Sequence, residues 1–186
     1  FEEFQVPHST ALHAKQNNDG EYLVGPMARY RHNFETLAPR AKSLAHELKV
    51  TPLCNNPFKS IVIRALEVLH ACEEALRILT TWKAPDSSYI EINPVASTGF
   101  GCTEAPRGLL YHRYRIDHDG EITDAKIVPP TSQNQATIEK DLSGIVEKHM
   151  SESEESLTRL CEQTIRNYDP CISCATHFLK LHMERS

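Results

Sequence analysis

No stretch of this 186-residue sequence is long and apolar enough to suggest a membrane span, because charge interrupts its apolar runs every few residues. A spanning helix needs about 20 apolar residues in succession. The opening Phe1-Glu-Glu-Phe-Gln-Val lacks the basic start and apolar stretch of a signal peptide. It also starts on Phe1 rather than Met, as expected of a fragment or a processed product. There is no surplus of positive charge: 20 Lys and Arg stand against 25 Asp and Glu, a net charge of −5. A protein so balanced has no electrostatic reason to bind nucleic acid or an anionic membrane. Internal repeats and low-complexity tracts are missing, which excludes solenoids and disordered linkers. A disulfide framework is not expected either. The six cysteines are scattered over a chain too large to need staples, so metal ligation or buried thiols in a reducing cytoplasm is the better reading.

What remains is an ordinary soluble composition, 40% hydrophobic and 24% charged. The length suits a single domain over 1–186, mainly α with one small β-hairpin. Residues 1–30 read as a lead-in, polar and irregular up to the turn at Asn17–Gly20, with a short strand over Glu21–Val24. Met27 to Val50 reads as a short helix, a break at Pro39, and a helix over 40–49. Asn56 can cap and Pro57 suits a first turn, so the longest helix is placed over 57–82. Its apolar residues spread around the circumference, which predicts burial on more than one side. Cys72 among them reads as a small buried hydrophobe. Residues 84–108 look like loop. Aromatic and β-branched residues either side of Asp119-Gly120 then predict a hairpin over 109–128, stopped by Pro129-Pro130. Helices follow over 135–147 and 152–167, the acidic start at Glu152–Glu155 reading as a solvated helix end.

Three stretches can carry chemistry. In Asp169-Pro-Cys-Ile-Ser-Cys-Ala-Thr-His177, Asp169 can cap a helix that Pro170 opens. Cys171 and Cys174, three residues apart, would then face one side and could close on a soft metal. His177 would be turned about 120° from Cys171, which suits a second site better than the same tetrahedron. In Gly99–Gly108, glycines before a hairpin are either a plain connection or a Pro-Arg-Gly turn holding the guanidinium of Arg107 over a cavity. On the second reading Gly101 and Gly108 permit close backbone approach. Val128–Asn134 leaves Thr131 and Ser132 as hydroxyl donors at the mouth of a strand; taken alone it is a turn. Of the ten histidines only His177 lies at a ligand spacing, with His112 held open because it follows the Arg107 segment. A structural zinc site needs four ligands, usually from a second knuckle, and no second CxxC exists. A thioredoxin-like redox pair would follow a strand, whereas the segment before Cys171 looks helical.

In order along the chain, Val24-Gly-Pro-Met-Ala-Arg29, Glu104-Ala-Pro-Arg-Gly108, Pro130-Thr-Ser-Gln-Asn134 and Asp169–His177 resemble the large subunit of nickel–iron hydrogenases. The resemblance covers the whole chain but only the C-terminal part of that subunit. It implies reversible heterolytic cleavage of H2, with electrons passed to an iron–sulfur small subunit. It also implies nickel, iron carrying cyanide and carbon monoxide, and magnesium. By position, Cys171 resembles the terminal nickel ligand and Cys174 the thiolate bridging nickel and iron. His177 and the Gln135 carbonyl resemble the magnesium site. Arg107 resembles the arginine over the open coordination position and Asp169 the carboxylate beside it, with the proton leaving through a thiolate or Arg107. The Ala105–Arg107 backbone (with Pro106 between), Pro130 and Thr131 resemble the surroundings of the cyanides, and Leu110 the apolar wall around carbon monoxide. The family's first CxxC, which supplies two further thiolates and precedes the Val24 motif, is absent, as is the family's N-terminal proton-relay glutamate. A second chain or segment is expected to bring them. The tail after His177 resembles an extension that the family commonly removes, and reads as an uncut remnant or a native end. The wording of Pro130–Asn134 is nearer to cytoplasmic than to membrane-bound members. The rival readings are a zinc-binding or metal-free interaction module derived from the family, and a CxxC thiol redox protein.

Overall fold

The structure, a computed structural model, describes residues 2–9, 11–17 and 20–171. The helices among the described residues are α1 (Pro26–Asn33), α2 (Pro39–Glu47), α3 (Ser60–Thr81), α4 (Pro130–His149) and α5 (Glu154–Asn167). Two strands, β1 (Glu2–Phe4) and β2 (His13–Lys15), pair antiparallel, and β3 (Ser97–Ala105), β4 (Gly108–Ile116) and β5 (Ile122–Val128) form an antiparallel sheet in that order. The mainly helical α+β class expected from the sequence is what is observed.

The helical core forms where α1 and α2 meet the first half of α3. Tyr30, Phe34, Leu37, Val50, Ile63 and Leu66 are buried together. Ala41 and Ala45, both fully buried, let α2 approach closely, and the Tyr30 hydroxyl donates to the Val50 carbonyl at 2.8 Å. The break at Pro39 lies as expected, because proline opens α2 without needing a donor. Asn56 accepts from the Phe58 N–H at 2.9 Å, capping a single 3₁₀ turn that runs on into α3.

Several expectations fail, each for a physical reason. The lead-in is not irregular: β1 and β2 form a hairpin, and β2 packs on α4. Glu21–Val24 is not a strand, because α4 side chains satisfy its backbone. Asn134 accepts from the Val24 N–H at 2.7 Å and donates to its carbonyl at 3.0 Å. Thr137 donates to the Tyr22 carbonyl at 2.8 Å. The expected loop before the hairpin contains β3, so the sheet has three strands rather than two. Gly101 has open space where a Cβ would stand, and is not a close-approach glycine. α4 begins at Pro130 rather than 135, the proline serving as its first residue, so Thr131 and Ser132 lie buried in a first turn instead of at a strand mouth. The second half of α3 is exposed, and so is Cys72.

Candidate metal centre

Three segments far apart in sequence meet around Arg107. The first is the tight link between β3 and β4. Gly25 (φ 110°) and Gly108 (φ 138°) lie back to back: a Cβ on Gly25 would stand 2.5 Å from the Arg107 carbonyl oxygen, and one on Gly108 2.6 Å from Val24 Cγ2. Only glycine suits such positive φ and such contact, so the Val24 and Pro-Arg-Gly motifs interlock. Gly108 thus has the close-approach role expected of it.

Arg29 clamps that link. Its Nε and Nη2 donate to the two Glu67 carboxylate oxygens at 2.8 Å each. Nη1 donates to Glu104 at 2.7 Å and to the Ala105 carbonyl at 2.8 Å, and Nη2 to the Pro106 carbonyl at 2.9 Å. Burial pulls the Arg29 pKa down, but bonds and charge from Glu67 and Glu104 outweigh it and raise the pKa overall. The fork of a guanidinium matches this arrangement; an ammonium could not reproduce it.

The second segment is the first turn of α4. Gln133 donates to the Leu109 carbonyl at 2.6 Å and accepts from the Tyr22 hydroxyl at 3.2 Å, tying α4 to β4 and to the chain before α1. Burial, followed by the charge of Glu3, pushes the Tyr22 phenol up to about 12. Pro130 is buried, and Leu110, paired with Thr103 in the sheet, is half-buried. Gln135 has its side-chain oxygen buried without a hydrogen-bond partner.

The third segment leaves α5. The Tyr168 hydroxyl donates to Asp141 of α4, and burial, then that carboxylate, raises the phenol well above its ordinary value. Asp169 follows with a left-handed backbone, φ 50°, instead of the extended backbone of a helix cap. Pro170 and Cys171 are not helical, and the helix expected from them falls on residues outside those described. Arg107 Nε donates to the Asp169 carbonyl oxygen at 2.6 Å and lies 3.5 Å from its Oδ2. Arg64 Nη1 reaches the same Oδ2 at 3.3 Å. Two residues on, the Cys171 N–H donates to Thr131 Oγ1 at 3.4 Å, so Thr131 here accepts.

Of the residues singled out from sequence, Arg107, Asp169, Cys171 and Thr131 are joined by these contacts, with Ala105 and Pro106 fixed through Arg29. Cys174 and His177 lie outside the described residues. Cys171 is disulfide-bonded, whereas Cys54, Cys72, Cys102 and Cys161 are free. Among the described residues no three His, Cys, Asp or Glu side chains form a ready metal cluster. The donors present are therefore part of a set: a soft sulfur at Cys171 and an orphaned buried oxygen at Gln135, of the kind a hard cation accepts. Sequence reasoning missed Arg29, as a clamp, and Arg64. Arg64 is turned about 100° around α3 from Ile63, off the buried stripe, so the helical pattern gave no signal for it.

Residues 15–177 match the family described as nickel-dependent hydrogenase. The chain is 34% identical to the alpha subunit of sulfhydrogenase 1 of Pyrococcus furiosus, covering 97% of this chain and 42% of that protein. It is 33% identical to the NAD-reducing hydrogenase HoxS subunit beta of Cupriavidus necator, covering 86% and 35%. Against an F420-non-reducing hydrogenase of Methanothermobacter marburgensis the identity is 33%, covering 89% and 36%. The chain thus spans under half the length of these relatives. Among solved structures it resembles an NAD+-reducing [NiFe]-hydrogenase in the H2-reduced state, with a TM-score of 0.80 and 28% identity over 94% of this chain and 41% of that one. The [NiFeSe]-hydrogenase of Dm. baculatum shares the fold, with a TM-score of 0.64 and 22% identity over 90% and 37%. With the family matched over most of its length, on a scaffold that joins its Pro-Arg-Gly and Asp-Pro-Cys motifs, this chain belongs to the nickel-dependent hydrogenases.

Proposed function

We propose that this chain is the C-terminal part of a hydrogenase catalytic subunit, cleaving H2 reversibly and passing electrons to an iron–sulfur small subunit in the cytoplasm. The observation that carries this is the convergence of Arg107, Asp169 and the Cys171–Thr131 contact, from three segments that sequence order alone leaves far apart.

Cys171 and Cys174 are the thiolates this chain would offer to nickel and iron; His177 and the Gln135 carbonyl would serve magnesium. When bound, the nickel–iron centre supplies the acceptor for the electron pair of H2. The chain's own residues do the rest. The Ala105–Arg107 backbone, held by Arg29 from behind, and the Thr131 hydroxyl present fixed polar groups suited to anionic cyanides, while Leu110 gives apolar surface suited to carbon monoxide. A preorganised lining of this kind needs no rearrangement when charge develops. A guanidinium stays protonated near neutral pH, so Arg107 serves to orient Asp169 and hold positive charge. The leaving proton is better matched to a thiolate.

A cysteine must be a thiolate before it can ligate a metal. Metal analysis of the natively purified assembly, with infrared spectroscopy, separates the readings. Nickel and iron together with CO and CN bands support the hydrogenase. Zinc alone, or no metal with the partner chains present, sinks it. A reversible Cys171–Cys174 disulfide at cytosolic potentials in a metal-free protein would support the redox reading instead.

A further inference from the structure

One side of α3 serves the candidate centre rather than the core. Ser60, Arg64 and Glu67 stand at helical spacing and so share that side. Each holds a different part of the centre. Ser60 Oγ donates to the Asn167 carbonyl at 2.5 Å, and Arg64 Nη1 lies 3.3 Å from Asp169 Oδ2. Glu67 anchors the Arg29 clamp behind Ala105 and Pro106. The two helix arginines differ in how they are satisfied. Every guanidinium nitrogen of Arg29 is hydrogen-bonded, as a structural clamp requires. Arg64 keeps its Nε buried without a hydrogen-bond partner, and its ion pair among the described residues is with Asp169. A buried donor left unbonded costs stability, so folding alone gives little reason for an arginine there.

Asp169 thus faces two guanidiniums, which meet at the same Oδ2. Arg107 gives it Nε alone, and among the described residues the two terminal nitrogens of Arg107 make no hydrogen bond. A carboxylate beside a single guanidinium favours the two-pronged pair instead. We propose that Arg64 is a positioning residue: it holds the Asp169 carboxylate toward α3 and so keeps the terminal nitrogens of Arg107 unspent, free to face the open side of the site. Without Arg64 the carboxylate turns to a two-pronged pair with Arg107 and takes those donors with it. The consequence for turnover rests on the hydrogenase reading; the arrangement of the three side chains does not.

The test uses the natively purified assembly carrying Arg64→Met, which removes the charge and keeps an unbranched side chain. Arg64→Gln takes its place should that variant not assemble. A crystal structure of the variant should show Asp169 bonded to Arg107 through two of its nitrogens at once. A carboxylate that keeps its place, with the Arg107 terminal nitrogens still unspent, overturns the proposal. In the same assembly H2 turnover per nickel should fall about 10–100-fold, as it does when a group that orients a site is lost. Arg64→Lys, which keeps a positive charge for Asp169, should recover most of that turnover. A lysine variant as slow as the methionine one marks a role in packing and overturns the proposal. The crystallographic readout needs no nickel. Re-pairing of Asp169 in a nickel-free assembly keeps the positioning role and removes the hydrogenase reading, while nickel and H2 turnover with the carboxylate unmoved do the reverse.

Discussion

The two halves of α3 have similar composition and opposite surroundings. In the first, Ile63 and Leu66 are at most 1% exposed against α1 and α2, and Arg64 turns toward Asp169. In the second, Leu76 and Leu79 are 64% and 73% exposed. Periodicity reports that a helix is meant to be covered; it does not report by what. Among the described residues one stripe of the first half is covered, at Ile63 and Leu66, and the second half is left open.

That contrast can be broken by substitution. The largest effect is expected at the clamp. Arg29→Ala strands Glu67, Glu104 and two carbonyls, and should cost about 3–5 kcal/mol, read by urea denaturation. If it costs under about 1 kcal/mol, the clamp does not hold the Pro-Arg-Gly link. Next, Leu66→Ala should cost about 2–5 kcal/mol by cavity formation. Gly108→Ala, forcing a Cβ against Val24 at positive φ, should cost about 1–3 kcal/mol and shift the melting temperature accordingly.

A smaller effect concerns pH. Burial lowers the pKa of His13 below its ordinary 6.5, with His8 adding to this and Glu139 opposing it. The unfolded chain therefore takes up the proton more readily than the folded one. Stability from this group is complete above pH 6.5 and is lost as pH falls below it, by at most about 1.4 kcal/mol per pH unit. His13→Gln should flatten that slope, and an unchanged slope would place its origin elsewhere. The smallest effect is expected at the far end of the helix: Leu79→Ala should change the stability of this chain by no more than about 0.5 kcal/mol. A loss like that of Leu66→Ala would erase the difference between the two halves.

What the sequence revealed follows the same line. Local signals were legible: the Asn56 cap and Pro57 before α3, the break at Pro39, and the Asp119-Gly120 turn, where Asp117 Oδ1 accepts from the Asp119 and Glu121 N–H groups at 2.9 and 3.0 Å. β3 was hidden by glycines that read as loop, although Thr98, Phe100, Cys102 and Glu104 alternate with other residues along it. The start of α4 was hidden because Pro129-Pro130 looks like a stop as readily as a helix opening. At the candidate centre, the nearness of Arg107 and Asp169 was legible only through family resemblance, since 62 residues separate them. Arg29 and Arg64 were illegible as parts of the site because a charge on a helix usually reads as a solvated face.

The central claim is that Cys171 is a ligand of a nickel–iron centre. Nickel content in the natively purified assembly tests it directly, with Cys171→Ala set against Cys54→Ala, a free half-buried thiol at the edge of the helical core. Loss of nickel in the first and retention in the second is the predicted result. A Cys171→Ala assembly that keeps its full complement of nickel contradicts the account.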